Sequence, residues 1–450
     1  MAADIAIRGG IVVTPEAVAP ADIYVQYGRV VAVQSVGASG LGANRELRAD
    51  GHHVFPGLID SHVHFNDPGR DHWEGAATGS RALAAGGGSC FVDMPLNSSP
   101  PTLDADAFGR KQAALEANSI TDFALWGGLT PVNLDQMEEL AACGVVGFKA
   151  FMCPSGIDDF PYADDITLLR GMERAAALKL PVALHAESAG IVAALAAEHQ
   201  DLDSAAAFCA SRPIVAELEA ISRALLYARE TGCSVHIVHV SNPRGVELIA
   251  DARSSGLDVS AETCPHYLTF TTDDAQRIGP RAKCAPPLRD DWIRRGLICK
   301  LVDGSIMTVG SDHSPAPPDM KDTESFAAAW GGISGVQTSL RALLSVGLQP
   351  SRIAAVMGAA PAERLGLAAK GRIAPGFDAD LCIVDMDAQA VVQRDELVDK
   401  HRQSPYVGRT LRGRVLCTLR RGTVIYDVAS GIPTVEPGIL QRPNTWLDRS

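Results

Sequence analysis

Between residues 54 and 313 the chain repeats one unit: a short apolar run, a turn, then an amphipathic or alanine-rich stretch. The runs fall at Val54–Asp67, Ser89–Pro95, Asp122–Leu129, Val145–Phe151, Pro181–Ala186, Ser234–Val240, Asp258–Pro265 and Ile306–His313. Helical patterning fills most of the intervals, as at Leu103–Ala117, Ile166–Leu180, Pro213–Thr231 and Pro243–Gly256. Strand and helix alternating through short connections is the pattern of βα units around a parallel sheet. Eight units favour a closed (β/α)8 barrel of the TIM type over an open doubly wound sheet. An open sheet would also carry a glycine fingerprint after a strand. Gly86-Gly87-Gly88 stands before one and reads as a helix terminus.

The two ends differ from this middle. Asp4–Val13, Ile23–Tyr27 and Arg29–Val33 read as strands, and so do Ala379–Val384, Arg414–Leu419 and Thr423–Asp427. Neither set can bury both faces alone. The expected architecture is a small β-sandwich built from residues 1–53 plus 367–450 and a barrel over 54–366. Hydrophobic content of 46% and charged content of 21% suit an ordinary soluble globular chain. A formal charge of -13 argues against nucleic-acid binding. No apolar run reaches membrane-spanning length, and the N-terminus lacks the basic start and long apolar core of a signal peptide, so a cytoplasmic location is expected. The ten cysteines include no Cys-X-X-Cys and read as reduced, buried residues.

A barrel places its chemistry at the C-terminal ends of its strands. In the first strand His62 and His64 share a face, because side chains alternate with period two. The fourth ends in Lys149, the fifth in His185, the sixth in His239 and the eighth in Asp312. A lone strand-end histidine more often satisfies a core hydrogen bond, a strand-end lysine usually reaches for solvent, and Asp312 can cap a turn. Collected on one rim, these six read as a metal site. Two nearby cations would favour the neutral form of Lys149. A neutral amine reacts with carbon dioxide to give a carbamate, an anionic carboxylate on a long arm. His62, His64 and Asp312 would then hold one ion, His185 and His239 the other, with carboxylated Lys149 bridging.

His62-Val63-His64, Gly147-Phe148-Lys149, His185-Ala186-Glu187, His239-Val240-Ser241 and Gly310-Ser311-Asp312-His313 resemble the cyclic amidohydrolases of the amidohydrolase superfamily. The likeness runs over nearly the whole chain. It implies two divalent ions per subunit, commonly zinc, a carboxylated lysine and a homotetramer. It also implies that Asp312 takes a proton from the attacking water and passes it to the leaving nitrogen.

Three branches of that family open different rings. The dihydroorotase pattern has an arginine two positions after the second histidine, to pair with a carboxylate. Asn66 stands there, and an amide suits a neutral ureide; nearby Arg70 keeps a carboxylate reader open. Asp93–Thr102, Phe148–Pro161, Gly310–Lys321 and Ala329–Gln337 resemble the allantoinase branch more closely than the dihydroorotase or the hydantoinase and dihydropyrimidinase branches. The resemblance implies hydrolysis of the hydantoin ring of allantoin to allantoate. A non-catalytic scaffold relative is the reading from another class, disfavoured by the complete ligand set. Asn66, Asn97, Ser155, His266 and His313 are the expected substrate-side residues, with Gly156 and Cys284–Arg289 as loop candidates. No chemistry is expected of His52, His53, His72, His199, His236 or His401.

Overall fold

The computed structural model describes residues 2–38, 41–198, 203–323 and 325–444; His199 lies outside them. Eight parallel barrel strands follow in sequence order: β1 Leu58–Val63, β2 Gly88–Asp93, β3 Asp122–Leu125, β4 Phe148–Phe151, β5 Val182–His185, β6 Val235–Ile237, β7 Val259–Thr263 and β8 Thr308–Val309. Each ladder joins consecutive strands, with Gly127–Gly128 carrying β3 across to β4. A parallel bridge between Val63 and His313, with His64 N–H bonded to the His313 carbonyl at 2.8 Å, closes β8 onto β1. Every residue of β1, β2, β5 and β7 is buried, as expected of strands covered on both faces.

The return helices start where the sequence supplies a cap. Asp104, Asp164 and Asn242 each accept the N–H three residues on, opening helices Ala105–Asn118, Asp165–Ala177 and Pro243–Ser254. The triple glycine does end a helix, Ala76–Ala85. Gly87 has φ 93°, and a Cβ there would fall 2.5 Å from Cys382 Sγ, so only glycine fits.

The chain ends build one eight-stranded sheet. Thr423–Asp427, Thr410–Arg420, Leu381–Val391, His53–Pro56, Ala3–Val13, Val18–Gln26 and Arg29–Ser35 lie side by side, with Ala43–Arg48 also on Ala3–Val13. The sheet curls until its far edge returns. Arg29 bridges Asp378, and Ala379 N–H reaches the Gly28 carbonyl. The core enclosed draws Ile5, Ile23 and Val25 from one end and Ile373, Leu381 and Leu419 from the other. This is the sandwich beside the barrel. The opening apolar run is split: His53–Pro56 pairs in the sandwich and β1 in the barrel, with Gly57 between. No helix among the described residues is long and apolar enough to cross a membrane.

Candidate active site

The rim brings five of the expected residues into two contacting sets. His62 Nε2 and His64 Nε2 lie 3.2 and 3.3 Å from the same oxygen, Asp312 Oδ1. His185 Nδ1 faces His239 Nε2 at 3.1 Å. The ring centroids of His62 and His239 are 5.5 Å apart, so the sets adjoin. Donor atoms about 2.0–2.1 Å from a tetrahedral ion stand about 3.3 Å from one another. Both sets have that spacing. His62, His64 and Asp312 form one cluster able to hold an ion; Cys153, His185 and Glu187 form another.

Lys149 is fully buried, and its Nζ has no hydrogen-bond partner. It sits 4.8 Å from the centroid of the Phe151 ring. Burial lowers it to about 7, although Asp312 and Glu262 pull the other way. Burial also lowers His64, His185 and His239, keeping their rings neutral. Burial alone would raise Asp312; the facing His62 and His64 outweigh it and bring it to about 2, an anion at neutral pH. The donors are therefore neutral imidazoles at His64, His185 and His239, the Asp312 anion and an amine that can lose its proton near neutral pH. Such a set fits divalent cations.

The backbone is bent to aim these groups. His239 and Asp312 have φ 40° and 48°, and Asn66 and Asn97 both have φ 68°. Left-handed non-glycine residues cost on the order of 1–3 kcal/mol and persist where surrounding structure holds them. Here four of them gather at or beside one rim.

A cavity of about 410 Å³ opens over the site. His62, His64, His185, His239 and Asp312 form its floor; Asn97, Ser155 and Gly156 lie on its wall. Asn97 Nδ2 donates to Ser314 Oγ at 3.3 Å, while the Ser155 hydroxyl is used within its own loop, on Phe160 O. Asn66, His266 and His313 stand behind the wall rather than on it. Asn66 is buried with both amide atoms unpartnered, as is His266 Nε2. His313 Nδ1 accepts the N–H of Gly335 at 3.1 Å.

Four features escape reading from sequence. Glu262, the last residue but one of β7, meets His62 Nδ1 at 2.9 Å and His236 Nε2 at 3.4 Å, so His236 belongs to the network behind the site. A glutamate among the small side chains of Val259–Thr263 is the signal that would have found it. Glu187 meets His185 Nε2 at 2.7 Å and is ion-paired with Arg212. Lys283 lines the cavity and holds its far wall through Ala327 O at 2.8 Å and Ala329 O at 2.7 Å. Nothing local in sequence announces Arg212, Lys283 or that wall.

With this geometry in hand, relatives can be weighed. The amidohydrolase family model matches residues 53–425. The chain belongs to the amidohydrolase family. This amidohydrolase is 51% identical to an allantoinase of Solibacter usitatus over 98% of its own length and 97% of the relative's. It is 48% identical to an allantoinase of Deinococcus radiodurans, covering 99% of this chain and all of that one. Among solved structures it resembles the L-hydantoinase (dihydropyrimidinase) of Arthrobacter aurescens, with TM-score 0.95 and 36% identity over 98% and 99% of the two chains. It also resembles the dihydropyrimidinase of Brevibacillus agri, with TM-score 0.88 and 26% identity over 97% and 98%.

Proposed function

We infer that this amidohydrolase is an allantoinase, opening the hydantoin ring of allantoin by hydrolysis to give allantoate. The full-length likeness to two allantoinases carries the choice of substrate. We propose that His62, His64 and Asp312 hold one divalent ion, that His185 and His239 hold a second, and that carboxylated Lys149 bridges them. Zinc suits these imidazole and carboxylate donors. Divalent ions held there would lower the pKa of a bound water and polarise a carbonyl oxygen.

The side chains supply the rest. With Lys149 near neutrality, its free amine adds to carbon dioxide, forming an N–C bond and releasing a proton. Asp312, ionised and at the cavity floor, accepts the proton of the attacking water. It returns that proton to the ring nitrogen as the C–N bond breaks, because an unprotonated amide nitrogen is a poor leaving group. The water oxygen ends in the new carboxylate; one water proton passes through Asp312 to the leaving ureido nitrogen, and the other is released to solvent as the new carboxyl group ionises. The cavity suits a neutral, amide-rich ring: its one lining anion is Asp312, and of its two lining cations Arg212 is engaged by Glu187 and Lys283 by the carbonyls of Ala327 and Ala329.

We propose Asn66, Asn97, Ser155, His266 and His313 as the residues that shape the substrate side. Asn97 and Ser155 act from the wall, the others from behind it. A homotetramer rests on family resemblance. The sandwich and barrel are proposed to divide at residues 1–53 plus 367–450 and 54–366, with Val54, Phe55 and Pro56 still paired in the sandwich sheet before the chain enters β1. A cytoplasmic site of action is supported by ten unpaired cysteines.

Turnover of allantoin, hydantoin, dihydrouracil and dihydroorotate by zinc-loaded protein tests the reading. Allantoin is expected to give the highest kcat/KM. Preference for dihydroorotate, or for hydantoin as the likeness to solved hydantoinases would suggest, overturns the substrate choice.

A further inference from the structure

Two of the rim histidines are each backed by a buried carboxylate, and the two carboxylates select opposite ring nitrogens. Glu262 engages His62 Nδ1 at 2.9 Å, leaving Nε2 beside Asp312. Glu187 engages His185 Nε2 at 2.7 Å, leaving Nδ1 facing His239. The His185 ring stacks on Phe151, with centroids 4.6 Å apart and planes 14° from parallel, which holds the plane in which both nitrogens point.

Glu187 is itself fixed. It is fully buried, and the Arg212 guanidinium reaches the same oxygen that meets His185. Arg212 comes from the turn before helix Ile214–Thr231, and its guanidinium carbon lies 5.6 Å from the Phe208 ring centroid. A carboxylate paired with guanidinium has only acceptors to offer, so the proton between Glu187 and His185 belongs on Nε2.

We propose that Glu187, held by Arg212, is a positioning residue that locks His185 as the Nε2–H tautomer and so presents its Nδ1 lone pair to the ligand cluster. The inference rests on the metal-site reading above for its consequence, not for its geometry. A ligating histidine whose outer nitrogen loses its carboxylate typically loses about 10–100-fold in metal affinity. The substrate cavity and the ligand cluster then share one support, since Arg212 also lines the cavity.

Long-range 15N–1H spectra of metal-free protein carrying labelled histidine test the tautomer directly, with the His185 signals assigned by difference against His185→Gln. The wild type is expected to show protonated Nε2 and bare Nδ1. Glu187→Gln is expected to mix the two tautomers and to bind one of its two zinc ions about 10–100-fold more weakly. Arg212→Lys, which keeps the cation, is expected to retain the tautomer and wild-type zinc affinity. Protonated Nδ1 in the wild type overturns the proposal, and so does unchanged affinity for both ions in Glu187→Gln. Loss in Arg212→Lys with retention in Glu187→Gln overturns it as well. Because the spectra need no metal, a wild type that binds no zinc sinks the metal-site reading while leaving the tautomer result legible.

Discussion

The two mouths of the barrel each bury a lysine, and the two are treated in opposite ways. At the N-terminal mouth, where barrel meets sandwich, Lys370 Nζ lies 2.6 Å from Asp122, 2.9 Å from Asp378 and 2.8 Å from Asp380. Burial works against its charge, but Asp380 and Asp122 outweigh that and push it up. At the C-terminal rim Lys149 is as deeply buried with no partner, and burial brings it down to about 7. The three aspartates at the first mouth are spaced like a metal site, yet an ammonium already occupies the space among them. A satisfied buried charge holds the structure together. An unsatisfied one is held for something the fold does not itself provide.

The largest effect should come from Lys149→Ala. Turnover should fall beyond the ~10⁴-fold that bounds the loss of a single proton carrier, and zinc bound per chain should drop. Thermal melting of metal-free Lys149→Met, which keeps the buried stem, should be unchanged or higher, because an unpaired buried amine contributes nothing to stability. A melting temperature that falls would show that Lys149 has a structural partner, erasing the contrast. Asp312→Asn should cost about 10²–10⁴-fold in kcat, with far-ultraviolet circular dichroism unchanged.

Lys370→Met is the mirror test. Removing the cation that Asp122, Asp378 and Asp380 share, which leaves Asp122 to Arg421 and Asp378 to Arg29, should destabilise by about 3–5 kcal/mol, read by urea unfolding. Protein that does fold should keep its kcat. A variant of full stability would mean that the aspartates find other partners.

The smallest effect concerns Lys321, which stands between the two cases. It is buried, and its Nζ donates to the carbonyls of Pro280, Trp330 and Gly332 at 3.1, 2.7 and 2.6 Å. Burial, with Lys283 nearby, lowers it from 10.5 to about 7. The unfolded chain therefore binds more protons between pH 7 and 10.5, and stability rises with pH across that window. The penalty is fully present below pH 7. Unfolding free energies of wild type and Lys321→Met, compared at pH 6.5 and 9.5, should show the wild type gaining on the variant as pH rises. A gap that stays constant would place Lys321 with Lys370 rather than between the two.

The rim was legible in sequence because two strong rules overlap there. Strand periodicity puts His62 and His64 on one face, and the barrel rule puts Lys149, His185, His239 and Asp312 at the same end. What supports them was not. Glu262 acts across the barrel from β7 to β1, and Arg212 reaches Glu187 from a turn 25 residues away. Such contacts depend on packing between distant segments. The strand Ala43–Arg48 was invisible for another reason: its sequence ANRELR is polar and largely exposed, without the alternation that marks a half-buried strand. β8 is shorter than its apolar run, pairing only over Thr308–Val309 before the backbone turns to put Asp312 at φ 48°. There the site, rather than the sheet, sets the backbone.

Carboxylation of the unpaired Lys149 is the proposal on which the metal site turns. Carbon-13 spectra of zinc-loaded protein equilibrated with 13C-bicarbonate address it directly. A protein-bound carbamate resonance is expected in the wild type and is expected to be missing in Lys149→Ala. No such resonance in active wild-type protein, or one that survives in the variant, would contradict it.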